Sequence, residues 1–211
     1  LNMFFNSFIM ATGIATLSVA TSLMAAYGLV YYRVKYSSFF FWLIFITLLV
    51  PLELRIMPTY EIMSKLNLLN SYTGLILPIS ASAIATFFFR QFYKTIPDEL
   101  LESAKLDGAN SWRFFIDFLL PLSKTMLAAM FIFMFVYGYS QYLWPLIMTT
   151  DEKYWTVVMG MKIIFTENYE GVALPRTGER FAYIILSMLP PVLVVIILQR
   201  WFIKGLIQTE K

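Results

Sequence analysis

Neither cysteine nor histidine occurs anywhere in the 211 residues. Without cysteine the chain can form no disulfide, no thiolate nucleophile and no cysteine-ligated metal site. Without histidine it lacks the commonest general acid–base and metal ligand. Charge is scarce too: Asp, Glu, Lys and Arg make up 14% of the chain, against about 25% in soluble domains. The net charge of +3 is scattered between apolar runs rather than gathered in one patch, which points away from nucleic acid. What fills the sequence instead is apolar (59%) and aromatic (18%). Contiguous exposed apolar surface drives association in water, so the solvent that suits this chain is lipid.

A bilayer core of about 30 Å asks for about 20 apolar residues as helix. The pattern predicts an all-α polytopic bundle, one domain over 1–211, with spans at 7–32, 38–54, 72–89, 125–148 and 182–203. These runs are too long and continuous for barrel strands. The sequence opens at Leu1 inside an apolar run, with no basic n-region or small-residue cleavage site, which speaks against a signal peptide. Ten of the 16 basic residues (Arg33, Lys35, Arg90, Lys94, Lys105, Arg113, Lys124, Arg200, Lys204 and Lys211) share one side. That side is the expected cytoplasm, with the C-terminus in it. Arg55, Lys65, Lys153, Lys162, Arg176 and Arg180 share the other. The odd span count is the expectation for a subunit whose first helix is missing.

The loop 90–124 carries the most information. Pro97 suits a first helical turn, and Asp98 and Glu99 suit its positive end. Leu100, Leu101, Ala104 and Leu106 continue a helical pattern, and Gly108 is placed for a left-handed C′ position. A second amphipathic helix with Trp112, Phe114, Phe115, Phe118 and Leu119 is expected to stop at Pro121. Physical chemistry alone leaves two readings open: a helix lying on the membrane surface, or one that docks a partner.

Glu102-Ser103-Ala104, Asp107-Gly108-Ala109 and Leu120-Pro121-Leu122 together resemble the EAA loop of ABC importer permeases. Ser103 stands for one alanine, and eleven residues rather than nine separate Gly108 from Leu120. Residues 87–92, 137–146 and 198–206 are similar to the carbohydrate-type subclass. Residues 51–56, 121–125 and 205–211 resemble its sn-glycerol-3-phosphate branch. The resemblance implies a type I importer permease of the bacterial inner membrane. Its implied partners are a second permease subunit, two ATP-binding subunits and a periplasmic substrate-binding protein. It implies that Glu102, Ser103, Ala104, Asp107, Gly108 and Ala109 form the contact with the ATPase. The chain contains no G-x-x-x-x-G-K-[ST] loop, so ATP and Mg are expected in the partners, with no cofactor or metal on this chain and no catalytic residue. A neutral-sugar permease of the maltose type is the alternative within the class. A membrane enzyme or a channel fits less well, lacking an intramembrane acid pair or a filter-like motif.

Polar groups within spans are costly and hint at a path. Tyr139, Gln141 and Trp144, with Tyr137 and Ser140, are candidates for such a path, although bonding between helices explains them as well. Arg55 is a candidate for the outer mouth, with an ion pair to Glu53 as the plainer account. The segment 154–165 reads as a short external helix carrying Trp155, Val158, Met159 and Ile163. It either lies on the membrane or faces the binding protein.

Overall fold

Lipid offers no hydrogen bonds to a bare backbone, so apolar runs of this length settle as helices. A computed structural model describes the backbone of residues 1–32, 35–166 and 177–208. Arg33, Arg176 and Lys211 of the orientation argument lie outside the described residues. The chain enters as α1 (Asn2–Tyr31), an uninterrupted 30-residue helix, about 45 Å long at 1.5 Å per residue. It then runs through α2 (Ser37–Ile46), α3 (Leu52–Lys65), α4 (Tyr72–Ile76), α5 (Ala83–Tyr93) and α6 (Asp98–Leu106). Next come α7 (Ser111–Phe114), α8 (Leu120–Leu122), α9 (Lys124–Tyr139), α10 (Leu143–Met148), α11 (Val157–Thr166) and α12 (Thr177–Gln208).

Only α1 and the Gly178–Gln199 stretch of α12 are continuous membrane-length helices among the described residues. Three further spans are bent pairs. The expected second span does not pass through Pro51. It turns by 102° between the 3-10 turn Thr47–Leu49 and α3, because proline disfavours helical geometry in the residue before it; Val50 is extended, at ψ 110. Glu53 and Arg55 therefore sit on a separate helix, not at the end of α2. The third span bends by 48° between α4, with its 3-10 turn Leu77–Ile79, and α5. Pro78 cannot donate a backbone hydrogen bond, and Ser82 restarts the helix by accepting the Ala85 N–H at 3.1 Å.

In the 90–124 loop, α7 continues through a π-helical turn Phe115–Leu119 into α8. Pro121 lies inside α8, and the 73° bend before α9 falls at Ser123. The expected fourth span stops at Tyr139 and restarts as α10, with Pro145 near its start. The fifth begins earlier than expected and runs through Pro190 and Pro191 without ending.

Helix α1 is the mast of the bundle. It packs along α5 and α9, and α12 packs on the far side of α9. Its small residues allow close approach: a methyl at Gly138 of α9 would sit 3.2 Å from the Ala11 Cα of α1. Two apolar cores divide the bundle. One joins Met10, Ile14, Ile56, Leu75, Phe135 and Trp144. The other joins Leu23, Tyr27, Phe89, Tyr93, Phe114 and Leu119, at the end that carries α6. Between them Arg90 is buried, its guanidinium carbon 4.0 Å from the Phe41 ring centroid. This cation–π contact ties α2 to α5, with Phe45 and Phe87 stacked alongside. Much of α12 (Ile185, Leu189, Leu193 and Ile197 among others) is exposed, as a lipid-facing helix must be.

Candidate coupling surface and permeation cavity

Helix α6 is short, and its definition comes from its two ends. Pro97 is the residue before the first turn rather than within it; Asp98 and Glu99 occupy that turn and Lys105 the last. Each charge thereby complements the helix dipole. At the other end Gly108 has φ +78, a conformation that costs other residues about 1 kcal/mol or more. The Ala109 N–H donates to the Ala104 carbonyl at 2.9 Å and the Gly108 N–H to Lys105 at 3.0 Å. This pair of bonds is a Schellman motif.

The helix has an inner and an outer face. Ala104 is 1% exposed and belongs to the core with Tyr27, Tyr93 and Phe114. Leu100 and Leu101 pack against the same core. Glu102, Ser103, Asp107 and Gly108 are exposed, and Ala109 is half-buried. The resemblance placed Ala104 in the partner contact. The structure turns it inward, where only a small side chain lets α6 lie close to α1 and α5. Leu106 is 89% exposed. It stands two residues beyond Ala104, and helical positions two apart do not share a face. Leu106 thus continues the helical pattern read from the sequence but forms the outward apolar tip of α6. The available signal was its place directly before the capping Asp107-Gly108.

The mount is stiff. The Tyr27 hydroxyl of α1 donates to the Ser111 carbonyl at the start of α7 (2.6 Å), and the Tyr31 hydroxyl to the Tyr93 carbonyl at 3.4 Å. Rings of Tyr27, Phe115, Tyr31 and Phe114 interlock at centroid distances of 4.9 to 5.5 Å. Asn110 caps α7 by accepting the Arg113 N–H at 2.8 Å. These contacts tie α1 to α5 and to the start of α7, on either side of α6.

The path candidates separate into two groups. Arg55 and Trp144 line one cavity of about 230 Å³, together with Thr47, Thr59, Ser82 and Tyr137. Tyr139 and Gln141 do not line it. The buried Tyr139 hydroxyl donates to the Ser187 carbonyl at 3.0 Å, joining α9 to α12. Gln141 donates back to the Tyr137 carbonyl at 3.3 Å, across the break after α9. The Tyr139 bond is a contact of the kind that binds membrane helices together; the Gln141 bond is local, to the residue four positions earlier. The Trp144 ring is buried and its Nε1–H donates to the Leu75 carbonyl at 3.2 Å. Arg55 makes no ion pair with Glu53; among the described residues the salt bridge is Arg113 to Asp117, at 3.3 Å. Ser82 packs and lines at once: its carbonyl accepts the Ser22 hydroxyl of α1 at 3.0 Å while the residue borders the cavity.

Opposite the α6 end, the segment before α11 is clasped to α1. Asn6 donates to the carbonyls of Lys153 (2.7 Å) and Trp155 (2.9 Å) and accepts the Tyr72 hydroxyl at 2.7 Å. The Ser7 hydroxyl accepts the Val157 N–H at 2.9 Å. Trp155 consequently lies in extended backbone, and the external helix begins at Val157 rather than at Tyr154.

A helical membrane bundle that holds a capped helix at one end and opens a cavity beside a broken span has the architecture of a membrane transport component. Comparison with known proteins gives the particular family. Residues 18–208 match the binding-protein-dependent transport system inner membrane component family, and the chain belongs to it. It is a multi-pass transporter component of the inner membrane, not an enzyme. It is 49% identical over 209 residues to the sn-glycerol-3-phosphate transport system permease protein UgpE of Yersinia enterocolitica, covering 99% of this chain and 73% of that one. It is 47% identical to the protein of the same description from Agrobacterium fabrum, covering 98% and 72%. Its fold matches a solved bacterial ABC transporter involved in the import of the acidic polysaccharide alginate, with a TM-score of 0.76 at 20% identity over 95% of this chain and 75% of that one.

Proposed function

We propose that this chain is a transmembrane permease subunit of a binding-protein-dependent ABC importer that moves sn-glycerol-3-phosphate, or a related glycerophosphodiester, across the inner membrane. The observation that carries the coupling part is α6: its own bundle buries Ala104, while Glu102, Ser103, Leu106, Asp107 and Gly108 are presented outward. A partner that closes on this face moves α1 as a rigid body. The substrate reading draws on the identity with the permeases of that transport system.

In this reading α6 and the C-terminus face the cytoplasm, in line with the excess of Lys and Arg on that side. Two ATP-binding subunits hold ATP and Mg and do the hydrolysis. A second permease subunit completes the path, and a periplasmic binding protein delivers substrate to the clasped end around Asn6 and Tyr72. This chain itself binds no cofactor, metal or nucleic acid. Membrane vesicles carrying the complete importer test it: ATP-dependent uptake of labelled sn-glycerol-3-phosphate is expected. Vesicles that take up a neutral disaccharide and no phosphate ester would contradict the substrate, and cysteine labelling that put position 102 on the periplasmic face would contradict the coupling.

A further inference from the structure

A broken helix at membrane depth needs an explanation, because unpaired backbone there survives only inside protein or beside a hydrated cavity. The third span breaks at residues 80–82, level with Thr21 and Ser22 in the second half of α1, whose hydroxyls donate to the Ser80 and Ser82 carbonyls at 3.4 and 3.0 Å. On its other side the break borders the cavity that Arg55 and Tyr137 also line. The turn at Pro51 is what carries Arg55 there. Neither the Arg55 guanidinium nor the Tyr137 hydroxyl has a hydrogen-bond partner among the described residues.

Such a cavity is set up for an anion. It holds one guanidinium, which pairs with phosphate through two parallel N–H bonds. Around it stand Thr47, Thr59, Ser82 and Tyr137, and no carboxylate. The Thr47 and Thr59 hydroxyls donate to the Ile44 and Arg55 carbonyls, which leaves the Ser82 and Tyr137 hydroxyls for a ligand. Its volume, about 230 Å³, falls just below the roughly 300–1,000 Å³ of sites for drug-sized ligands, as suits a three-carbon ester. We propose that this cavity is a phosphate-binding station on the translocation path, with Arg55 as its cation and Tyr137 and Ser82 as hydroxyl donors. The inference rests on the phosphate-ester reading above and adds the side chains that select for it.

The absence of cysteine supplies a clean test. In the reconstituted importer, Arg55→Cys is expected to lower the maximal uptake of sn-glycerol-3-phosphate at least about tenfold, the loss of one charge-assisted pair. Co-purification of the ATP-binding subunits with the variant, read in parallel, shows whether the complex assembles and so separates a lost station from a lost complex. A thiol reagent that leaves a positive amine at position 55 should restore uptake. One that leaves a sulfonate should abolish the remainder, and sn-glycerol-3-phosphate should protect the thiol from both. Arg55→Lys, which keeps the charge but not the two parallel N–H bonds, should fall between wild type and Arg55→Cys. Equal uptake by wild type and Arg55→Cys, before and after both reagents, would overturn the station while leaving the substrate reading standing. A wild-type importer that carries a neutral sugar but no phosphate ester would remove both.

Discussion

The Ala109 N–H and the Ala104 carbonyl meet at 2.9 Å across the end of α6. This bond requires the left-handed residue between them, Gly108 at φ +78, and it fixes where the helix stops and which side chains its tip offers. Gly108 has open space around the position of an added Cβ, so Gly108→Ala meets only backbone strain, about 1–2 kcal/mol. Gly108→Ala should insert normally and transport at a reduced rate. Gly108→Trp should insert normally and not transport, because its ring fills the docking face. Membrane yield and ATP-dependent uptake, read side by side, check both.

Leu106 gives the opposite case, a large apolar side chain 89% exposed. Its replacement removes nothing from the bundle core. Leu106→Asp should leave thermal unfolding in detergent unchanged within about 0.5 kcal/mol. It should nevertheless weaken co-purification of the ATP-binding subunit by about tenfold or more, as burying a charge in an apolar seat does. Ala104→Leu should behave in reverse: the overpacked core loses about 1–3 kcal/mol before any partner is added.

Gly74 sits where a Cβ would fall 2.1 Å from the Leu68 carbonyl oxygen. Backbone, not a flexible side chain, stands in the way. Gly74→Ala should therefore lower the unfolding midpoint clearly, with a loss of about 1–3 kcal/mol, whereas Gly28→Ala, in open space within α1, should be neutral or mildly stabilising. Scanning fluorimetry of the two purified variants distinguishes them.

Asn6 is buried and fully engaged, with two carbonyls and one hydroxyl. Asn6→Leu leaves the Lys153 and Trp155 carbonyls without that donor, at about 1–3 kcal/mol for unsatisfied buried groups. The expected result is faster proteolysis after Lys153 with the α6 end intact. Tyr72→Phe removes only one of the three bonds and should cost about 1 kcal/mol. In the double variant the losses should be less than additive, since both act on one network.

The lipid solvent, the helical class and the capped peg could be read from residues because each is a local matter. Apolar runs set the solvent, and Pro97, Asp98 and Gly108 write the ends of α6 into the chain itself. A path is less legible. Tyr139 and Gln141 are polar residues in an apolar run, and in the structure they bond to the Ser187 and Tyr137 carbonyls. A serine among alanines, such as Ser82, has the same spelling whether it packs or lines a cavity. Nothing local in 51–59 told whether Arg55 would pair with Glu53, reach the rim or turn inward.

The sequence by itself determined that this chain lives in a membrane, belongs with importer permeases and carries a short capped helix in the loop 90–124. Those follow from transfer energies, caps and a motif, all of which act over a few residues. Only the tertiary structure decided that Ala104 faces in and Leu106 out, and that a bend of 102° at Pro51 brings Arg55 beside a broken span. Which face a helix shows, and which distant residues share a cavity, depend on how α1, α5 and α9 pack. That packing is a property of the whole bundle and of no single stretch.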